Sequence, residues 1–574
     1  MSALKKIKSA KSLHDVANIL GFKPKSLAYV IHGMSDDAKY HQFEIPKKTE
    51  GTRVISAPCP ELKNLQKRLS ELLQDCLDEM DAEREIASTL SHAFRRNFSI
   101  VTNAESHRKK RYVFNLDLSD FFGSINFGRV RGFFIKNRNF ELTEAAATVL
   151  AQIACFENSL PQGSPCSPVI SNLIGHTLDI RLAKLAKNNR CYYTRYADDI
   201  TFSTNERTFP SDVAVAAASQ EHNWVVGNEL ESTIKRSGFS INPSKTRMQY
   251  KNSRQAVTGL VVNKIVNVRA EYKRKVRAMA HSLFMTGSFD RTSAVKGTIA
   301  QLGGMFGFID SVNRYNQEKL EASLTKDAQR DRKNHLNGGE QTYRNFIFFK
   351  NFYFNDAPTI ICEGKTDNVY LKFAIKSLAS DFPDFVEKSS AGELTLKIRF
   401  FEYTDLTKRL LGLSGGYAPL KSLIGAYRVW CERFKAPGLA HPVIVVVDND
   451  SGGKEIFSVV KQKIGSAVDG SANFYFIAKN LYVVAVPKID MKDTAIEDCF
   501  QESTLPTKVA GKSFNRNNDH DTQTEYGKHY FSTHVIAANY QSIDFKGFKE
   551  LLKRINLVLT DYKKKNENKP ESSE

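Results

Sequence analysis

The sequence predicts an α+β unit followed by an α/β unit whose sheet is mainly parallel. Three observations carry that reading. From about residue 110 to 265, strand-like and helix-like patterns alternate around a group of carboxylates. Beyond residue 351, the β-prone runs PTIICEG, LKIRFFEY and HPVIVVVD alternate with the helical stretches TDNVYLKFAIKSLA and APLKSLIGAYRVWCERF. Apolar strands joined by helices suit a parallel sheet covered on both faces. A length of 574 residues also exceeds what one hydrophobic core usually supports.

Composition narrows the class. Hydrophobic residues make up 41% and aromatics 11%, as in a globular chain and not a disordered one. The net charge of +19 is spread along the sequence, which favours a polyanionic partner held along a track over one gripped by a basic tail. The eight cysteines are scattered, without CxxC or Cys/His spacing, and read as reduced thiols of a cytosolic protein with no zinc. The start, MSALKKIKSAKSLHDVANILGF, lacks a continuous apolar core, and the longest apolar runs are too short to cross a bilayer. A soluble cytoplasmic protein without a membrane partner is expected.

Taken in order, residues 1–110 read as helical with a strand pair around FEIPKK and TRVISAP. Within 111–265, RYVFNLD, CYYTRY and ITFST have the alternating, aromatic and β-branched character of strands. Tyr196-Ala197-Asp198-Asp199 falls at the tip of the hairpin between the last two, and Asp117 ends the first. Three Asp on adjacent strand ends can hold two Mg²⁺ for in-line phosphoryl transfer. A lone Asp pair is usually a solvated turn; the third carboxylate and the neighbouring strands argue otherwise here. Residues 266–325 read as helical and basic, with Lys273 and Arg274 in KRKVR. The stretch 326–350, charged and containing Gly-Gly, reads as a linker or an exposed helix and loop, and 351–574 as the α/β unit with a frayed tail, YKKKNENKPESSE.

FNLDLSDFFGSI, LPQGSPCSPVISNL, YADD and GFSINPSKTRM occur in the order and spacing of the palm motifs A to D of reverse transcriptases. Asn103-Ala104-Glu105-Ser106-His107 matches the NAxxH element, and Val257-Thr258-Gly259 the VTG element, of the retron branch. Over roughly residues 15–320 the chain resembles a retron reverse transcriptase. That resemblance implies a right-hand polymerase: fingers in 1–110, palm in 111–265 and thumb in 266–325.

The same resemblance implies roles. Asp117 and Asp198 would ligate both Mg²⁺ ions, with Asp199 in support. Phe122 stands where an aromatic gate excludes a 2′-hydroxyl, with Phe121 beside it as the alternative ring. Gln162 and Gly163 would line the template and incoming dNTP, Arg53 would pair with triphosphate oxygens, and Lys245 would protonate pyrophosphate. Asn103, His107, Val257, Thr258 and Gly259 would handle the cognate structured RNA, with Lys273 and Arg274 gripping it through shape and phosphates. The implied reaction copies that non-coding RNA, in a bacterial cytoplasm, into branched single-stranded DNA primed from a 2′-hydroxyl.

In the α/β unit, Glu363-Gly364-Lys365-Thr366-Asp367 and Asp448-Asn449-Asp450 follow strands, where doubly wound sheets put their ligands. Strand–EGxxD–helix followed by strand–DxD–helix resembles the TOPRIM fold, and among its members the nucleases of OLD type. The resemblance adds Glu497 as a further acid and Lys528 as a late catalytic lysine. Glu363, Asp367, Asp448, Asp450 and Glu497 would then bind Mg²⁺ or Mn²⁺ for phosphodiester hydrolysis of a nucleic-acid target. Two readings stay open: a toxic nuclease restrained by the RNA–DNA product in anti-phage defence, or a non-catalytic docking module in a ribonucleoprotein scaffold. A homo-oligomer formed through this domain is compatible with both.

Overall fold

The computed structural model describes residues 2–47, 51–83, 90–217, 224–292, 295–322, 335–390, 392–489, 492–501, 504–505, 508–516, 521 and 523–567. The chain divides into two compact units, Met1–Ala270 with Ser311–Leu320, and Glu271–Asp310 with Glu321–Glu574.

In the first unit, β1 (Tyr40–Pro46) and β2 (Thr52–Pro58) pair antiparallel. Helix α1 (Pro60–Glu83) buries Leu62, Leu65, Leu69, Leu73, Cys76 and Met80, a stripe at helical spacing that faces the core. After α2 (Ile100–Glu105), capped by Ser99, come β3 (Tyr112–Ser119), α3 (Ser167–Asn188), β4 (Tyr192–Tyr196), β5 (Asp199–Thr204) and β6 (Ser240–Tyr250). The four strands form one sheet in the order β4-β5-β3-β6. Phe114, Leu116, Ile200 and Phe202 of this sheet share a core with Val169, Ile170, Leu173, Leu178 and Leu182 of α3. The first half of α3 is buried all round from Val169 to Gly175, whereas its second half buries one face at helical spacing through Leu178, Leu182 and Leu185. The short strands β7 (Ala256–Val257) and β8 (Leu260–Val261) close through Thr258 and Gly259, whose φ values of 46° and 83° are those of a tight hairpin turn.

The second unit takes α4 (Ala270–Thr286) from Glu271 onward and the first part of α5 (Ile299–Glu321). Met279, Leu283, Leu302 and Phe306 belong to the same core as Tyr343, Phe346 and Phe349. This differs from the expected boundaries. Within the stretch read as a linker, 326–334 lies outside the described residues, while α6 (Gly338–Phe348) is a capped helix. Its Tyr343 ring stacks on Phe306 at 4.8 Å and 3°. Four aromatic residues spaced along YRNFIFF supplied a core face that the flanking charges obscured.

Downstream run β9 (Thr359–Cys362), α7 (Asp367–Ser377), β10 (Arg399–Phe400), α8 (Tyr417–Cys431), β11 (Val443–Val447), α9 (Ser451–Ile464), β12 (Tyr475–Ala478), β13 (Leu481–Ala485) and α10 (Lys549–Glu567). Their sheet has the order β10-β9-β11-β13-β12, parallel except for the β12–β13 edge pair. Alternate residues enter two cores: Val443, Val445 and Val447 face one, Ile444 and Val446 the other. That explains why β11 is a continuous apolar run instead of an alternating one. The tail is helical through Glu567 with Tyr562 buried, and 568–574 lies outside the described residues. No helix among the described residues is long and apolar enough to cross a membrane. All eight cysteines are free thiols.

Candidate functional sites

The first site is built by strand register. Antiparallel pairing of β3 with β5 sets Asp117 opposite Asp199, and Asp198 occupies the turn between β4 and β5. Leu118 N–H donates to the Asp198 carbonyl at 3.0 Å, tying the turn to β3. Lys245, on β6, places Nζ 3.0 and 2.9 Å from the two carboxylate oxygens of Asp117. Burial, and then the charge of Asp117, raises the Asp198 carboxyl, while Lys245 and Arg53 pull it down. The surrounding protein bulk, followed by Asp198 and Asp117, raises Asp199 to about 6, although part of its side chain reaches solvent.

The other residues expected in these roles differ in burial and support. Gln162 accepts the Ser56 N–H at 2.8 Å through its carbonyl, so the loop rests on β2. Gly163 has φ 126°, and a Cβ there would stand 2.6 Å from the Ser56 carbonyl, so a side chain is excluded twice over. The Phe121 ring is buried and stacked on Phe239 at 5.6 Å, whereas Phe122 remains half-exposed. Arg53 is exposed on β2. In the second unit, Lys273 is half-buried on α4 and its neighbour Arg274 is exposed.

Two residues that sequence reasoning passed over stand directly behind the turn. Arg195 is wholly buried and forms a two-pronged pair with Asp179 of α3, at 2.7 and 2.8 Å. The Tyr193 hydroxyl donates to the same Asp179 at 2.7 Å. A charged residue in an alternating strand reads as solvent-facing, and the acid that neutralises it is 16 positions upstream on a helix, so no local pattern revealed the pair.

The second site lies at the carboxyl ends of β9 and β11. Glu363 follows β9, and its Oε2 accepts the Asp448 N–H at 3.4 Å. Asp367 opens α7 and accepts the Gly364 N–H at 2.6 Å. Asp450 caps α9 through the Gly453 N–H at 3.0 Å, and Asp448 accepts the Ile496 N–H at 2.9 Å. Glu363, Asp367, Asp448, Asp450 and Lys528 line a cavity of about 830 Å³ together with Arg516 and His529. Lys528 Nζ pairs at 2.8 Å with Glu497, which is fully buried and whose Oε2 has no hydrogen-bond partner. Burial first, then neighbouring carboxylates, raises Glu363 to about 7, Asp367 to about 6 and Asp448 to about 8. Arg516 and His529 went unnoticed in the sequence because neither belongs to a motif; only the cavity brings them in.

Among the described residues, no group of three or more His, Cys, Asp or Glu stands arranged to hold a metal ion as the side chains lie. In both sites a lysine supplies positive charge instead. Oxygen-only donors, raised carboxyls and the orphaned Glu497 oxygen fit a hard divalent cation.

Residues 45–262 match the family model of reverse transcriptase (RNA-dependent DNA polymerase). The retron Mx65 reverse transcriptase of Myxococcus xanthus is 31% identical over 53% of this chain and 69% of its own length. The retron Ec86 reverse transcriptase of Escherichia coli is 31% identical over 57% of this chain and 92% of its own. The chain belongs to the retron reverse transcriptases. A solved telomerase of Candida albicans, in complex with a TWJ fragment of telomeric RNA, overlaps 54% of this chain and 62% of its own at 9% identity and a TM-score of 0.30.

For this retron reverse transcriptase the two branch signatures turn out to be structural neighbours. Thr258 donates its hydroxyl to the Ile100 carbonyl at 3.2 Å, and Lys109 N–H reaches the Val262 carbonyl at 3.0 Å. Asn103, His107 and Val257 are buried, which corrects the expectation that these side chains touch RNA directly. Thr258 is half-buried, and Gly259 alone of the five is exposed. The two ring nitrogens of His107 meet Ser203 Oγ at 2.7 Å and Thr194 Oγ1 at 2.8 Å, clasping β5 and β4 from behind. Burial, then His92 and Lys110, pushes the ring down to about 3, so it stays neutral. His107→Leu is expected to destabilise the fold by about 2 kcal/mol or more, since it strands two buried hydroxyls. Chemical denaturation of the variant measures this. A variant of unchanged stability that binds RNA poorly would contradict the assignment.

Proposed function

We propose that this retron reverse transcriptase copies its cognate structured RNA into branched single-stranded DNA, and that its second unit is a TOPRIM nuclease of OLD type. The polymerase reading rests on the register that sets Asp117 against Asp199 beside Asp198. These three carboxylates would hold two Mg²⁺, which supply charge neutralisation and an acidified primer hydroxyl when bound. Arg53 orients the triphosphate of the incoming dNTP, Phe122 closes off a 2′-hydroxyl, and Lys245 moves from Asp117 to give a proton to pyrophosphate. RNA contact falls to exposed groups, Gly259 in the first unit and, separately, Arg274 in the second, next in sequence to the half-buried Lys273.

The nuclease reading rests on the convergence of Glu363, Asp367, Asp448 and Asp450 at strand ends with Lys528 close by. These acids and Glu497 would hold Mg²⁺ or Mn²⁺, and Lys528, released from Glu497, would stabilise charge on the scissile phosphate. The RNA–DNA product would restrain this activity until infection damages it, giving anti-phage defence.

Co-expression with the structured RNA encoded beside the gene tests both halves. DNA joined to RNA through a debranching-sensitive 2′,5′ bond is expected from the intact chain. Glu363→Ala and Asp448→Ala should keep that DNA and lose protection of phage-challenged cells. If they still protect, the second unit is a docking module and not a nuclease.

A further inference from the structure

The tip of the catalytic hairpin has an uncommon backbone. Ala197 has φ 56°, a left-handed conformation that a residue with a Cβ adopts at a cost. Such a conformation persists only where the surroundings over-determine it. Ala197 is followed immediately by Asp198 and Asp199, so any relaxation of this residue re-aims both carboxylates.

One side chain is placed to do the holding. Arg195 Nη1 donates to the Ala197 carbonyl at 3.0 Å. Its Nε and Nη2 are occupied by Asp179 at 2.7 and 2.8 Å, so the guanidinium plane cannot swing away from the turn. Tyr193 shares the Asp179 oxygen, and the Phe121 ring lies 5.7 Å from the guanidinium carbon. The backbone is fixed as well: Arg195 N–H donates to Leu90 at 2.7 Å, and its carbonyl accepts from His92 at 2.9 Å. Room for the group comes from Gly175 on α3, where a Cβ would lie 2.8 Å from Nη2. Asp179 and Gly175 sit on the helix that starts just after Gln162 and Gly163, so one rigid element supports the substrate loop and the clamp.

We infer that Arg195 is a positioning residue for DNA synthesis: clamped by Asp179, it holds the Ala197 carbonyl and so fixes the turn that presents Asp198 and Asp199. Two observations set it apart from an ordinary buried ion pair. The third donor goes to the turn and not to the core, and the turn is the strained one.

The test uses the purified full-length chain on an RNA template with a DNA primer. Arg195→Lys keeps a cation beside Asp179 but loses the planar fork that reaches both partners. Gly175→Ala keeps every charge and pushes on the guanidinium, which guards against a Lys variant that fails to fold. Tyr193→Phe is the comparison, since it removes a bond to Asp179 but none to the turn. In the first two, hydrogen exchange across 192–204 is expected to quicken. Their kcat should drop by about a hundredfold for Arg195→Lys, with a smaller loss for Gly175→Ala and KM for dNTP nearly unchanged. Tyr193→Phe should stay close to the parent on both readouts. Unchanged exchange over the hairpin, a fall confined to KM, or an equal loss in Tyr193→Phe would overturn the inference.

Discussion

Asp198→Asn is expected to reduce DNA synthesis by at least about a thousandfold while the protein still folds. The substitution preserves shape and removes only charge. The Asp198 backbone keeps its bond to Leu118, and the side chain belongs to no core cluster, so stability has little reason to fall. Burial and the charge of Asp117 already raise this carboxyl, so the fold holds it under electrostatic stress that a bound divalent cation would relieve. Removing it also eases repulsion on Asp199. Primer extension, with circular dichroism as a check on folding, measures both effects. The parent enzyme should also need more Mg²⁺ as pH falls through about 6, because protons compete for Asp199 there. A variant that extends primers within tenfold of the parent would remove Asp198 from the chemistry.

How far the sequence carried differed between motif and support. The carboxylates lay in local patterns, a hairpin tip and strand ends, and local patterns survive in one dimension. The continuous apolar run of β11 was legible for the same reason, since a strand covered on both faces shows its burial in its own residues. Arg195 was not legible. Its meaning comes from Asp179, which a helix and a strand bring alongside it. His107 was misread in the opposite direction: a polar residue in a signature looks like a contact, yet Ser203 and Thr194 satisfy it inside. Only the fold could reveal that α6 belongs to a core, because its aromatic face packs on helices far upstream in the chain. The boundary between units suffered for that reason, while the strand-end acids of the second unit did not.

Asp448→Asn is expected to abolish the hydrolysis proposed for the second unit and, at pH 8 without divalent metal, to make the protein more stable. Desolvation, then Asp367, Glu497 and Glu363, raises the Asp448 carboxyl to about 8 in the folded chain. In the unfolded chain it titrates near the ordinary value of about 4. The folded state therefore binds more protons between these values, and stability must fall as pH rises from about 4 to about 8. Below that window both states are protonated and the penalty vanishes; above it the penalty is complete. Asn is neutral at every pH, and its Oδ1 can still accept the Ile496 N–H at 2.9 Å, so the substitution keeps the contact and removes the charge. A gain of about 1–3 kcal/mol follows at pH 8, since raising a carboxyl tenfold in proton affinity corresponds to about 1.4 kcal/mol and the neighbouring acids share the relief. That corresponds to a rise of about 2–8 °C in melting temperature for the unit, shrinking as the pH is lowered towards 4. Mg²⁺ or Mn²⁺ should narrow the same difference by stabilising the parent and leaving the variant little changed. A melting temperature at pH 8 that is equal to or below the parent's would mean that the carboxylates of this cavity are not held against their charge. A divalent ion would then lose its purchase among them, because a cluster that resists ionisation is what gives it one.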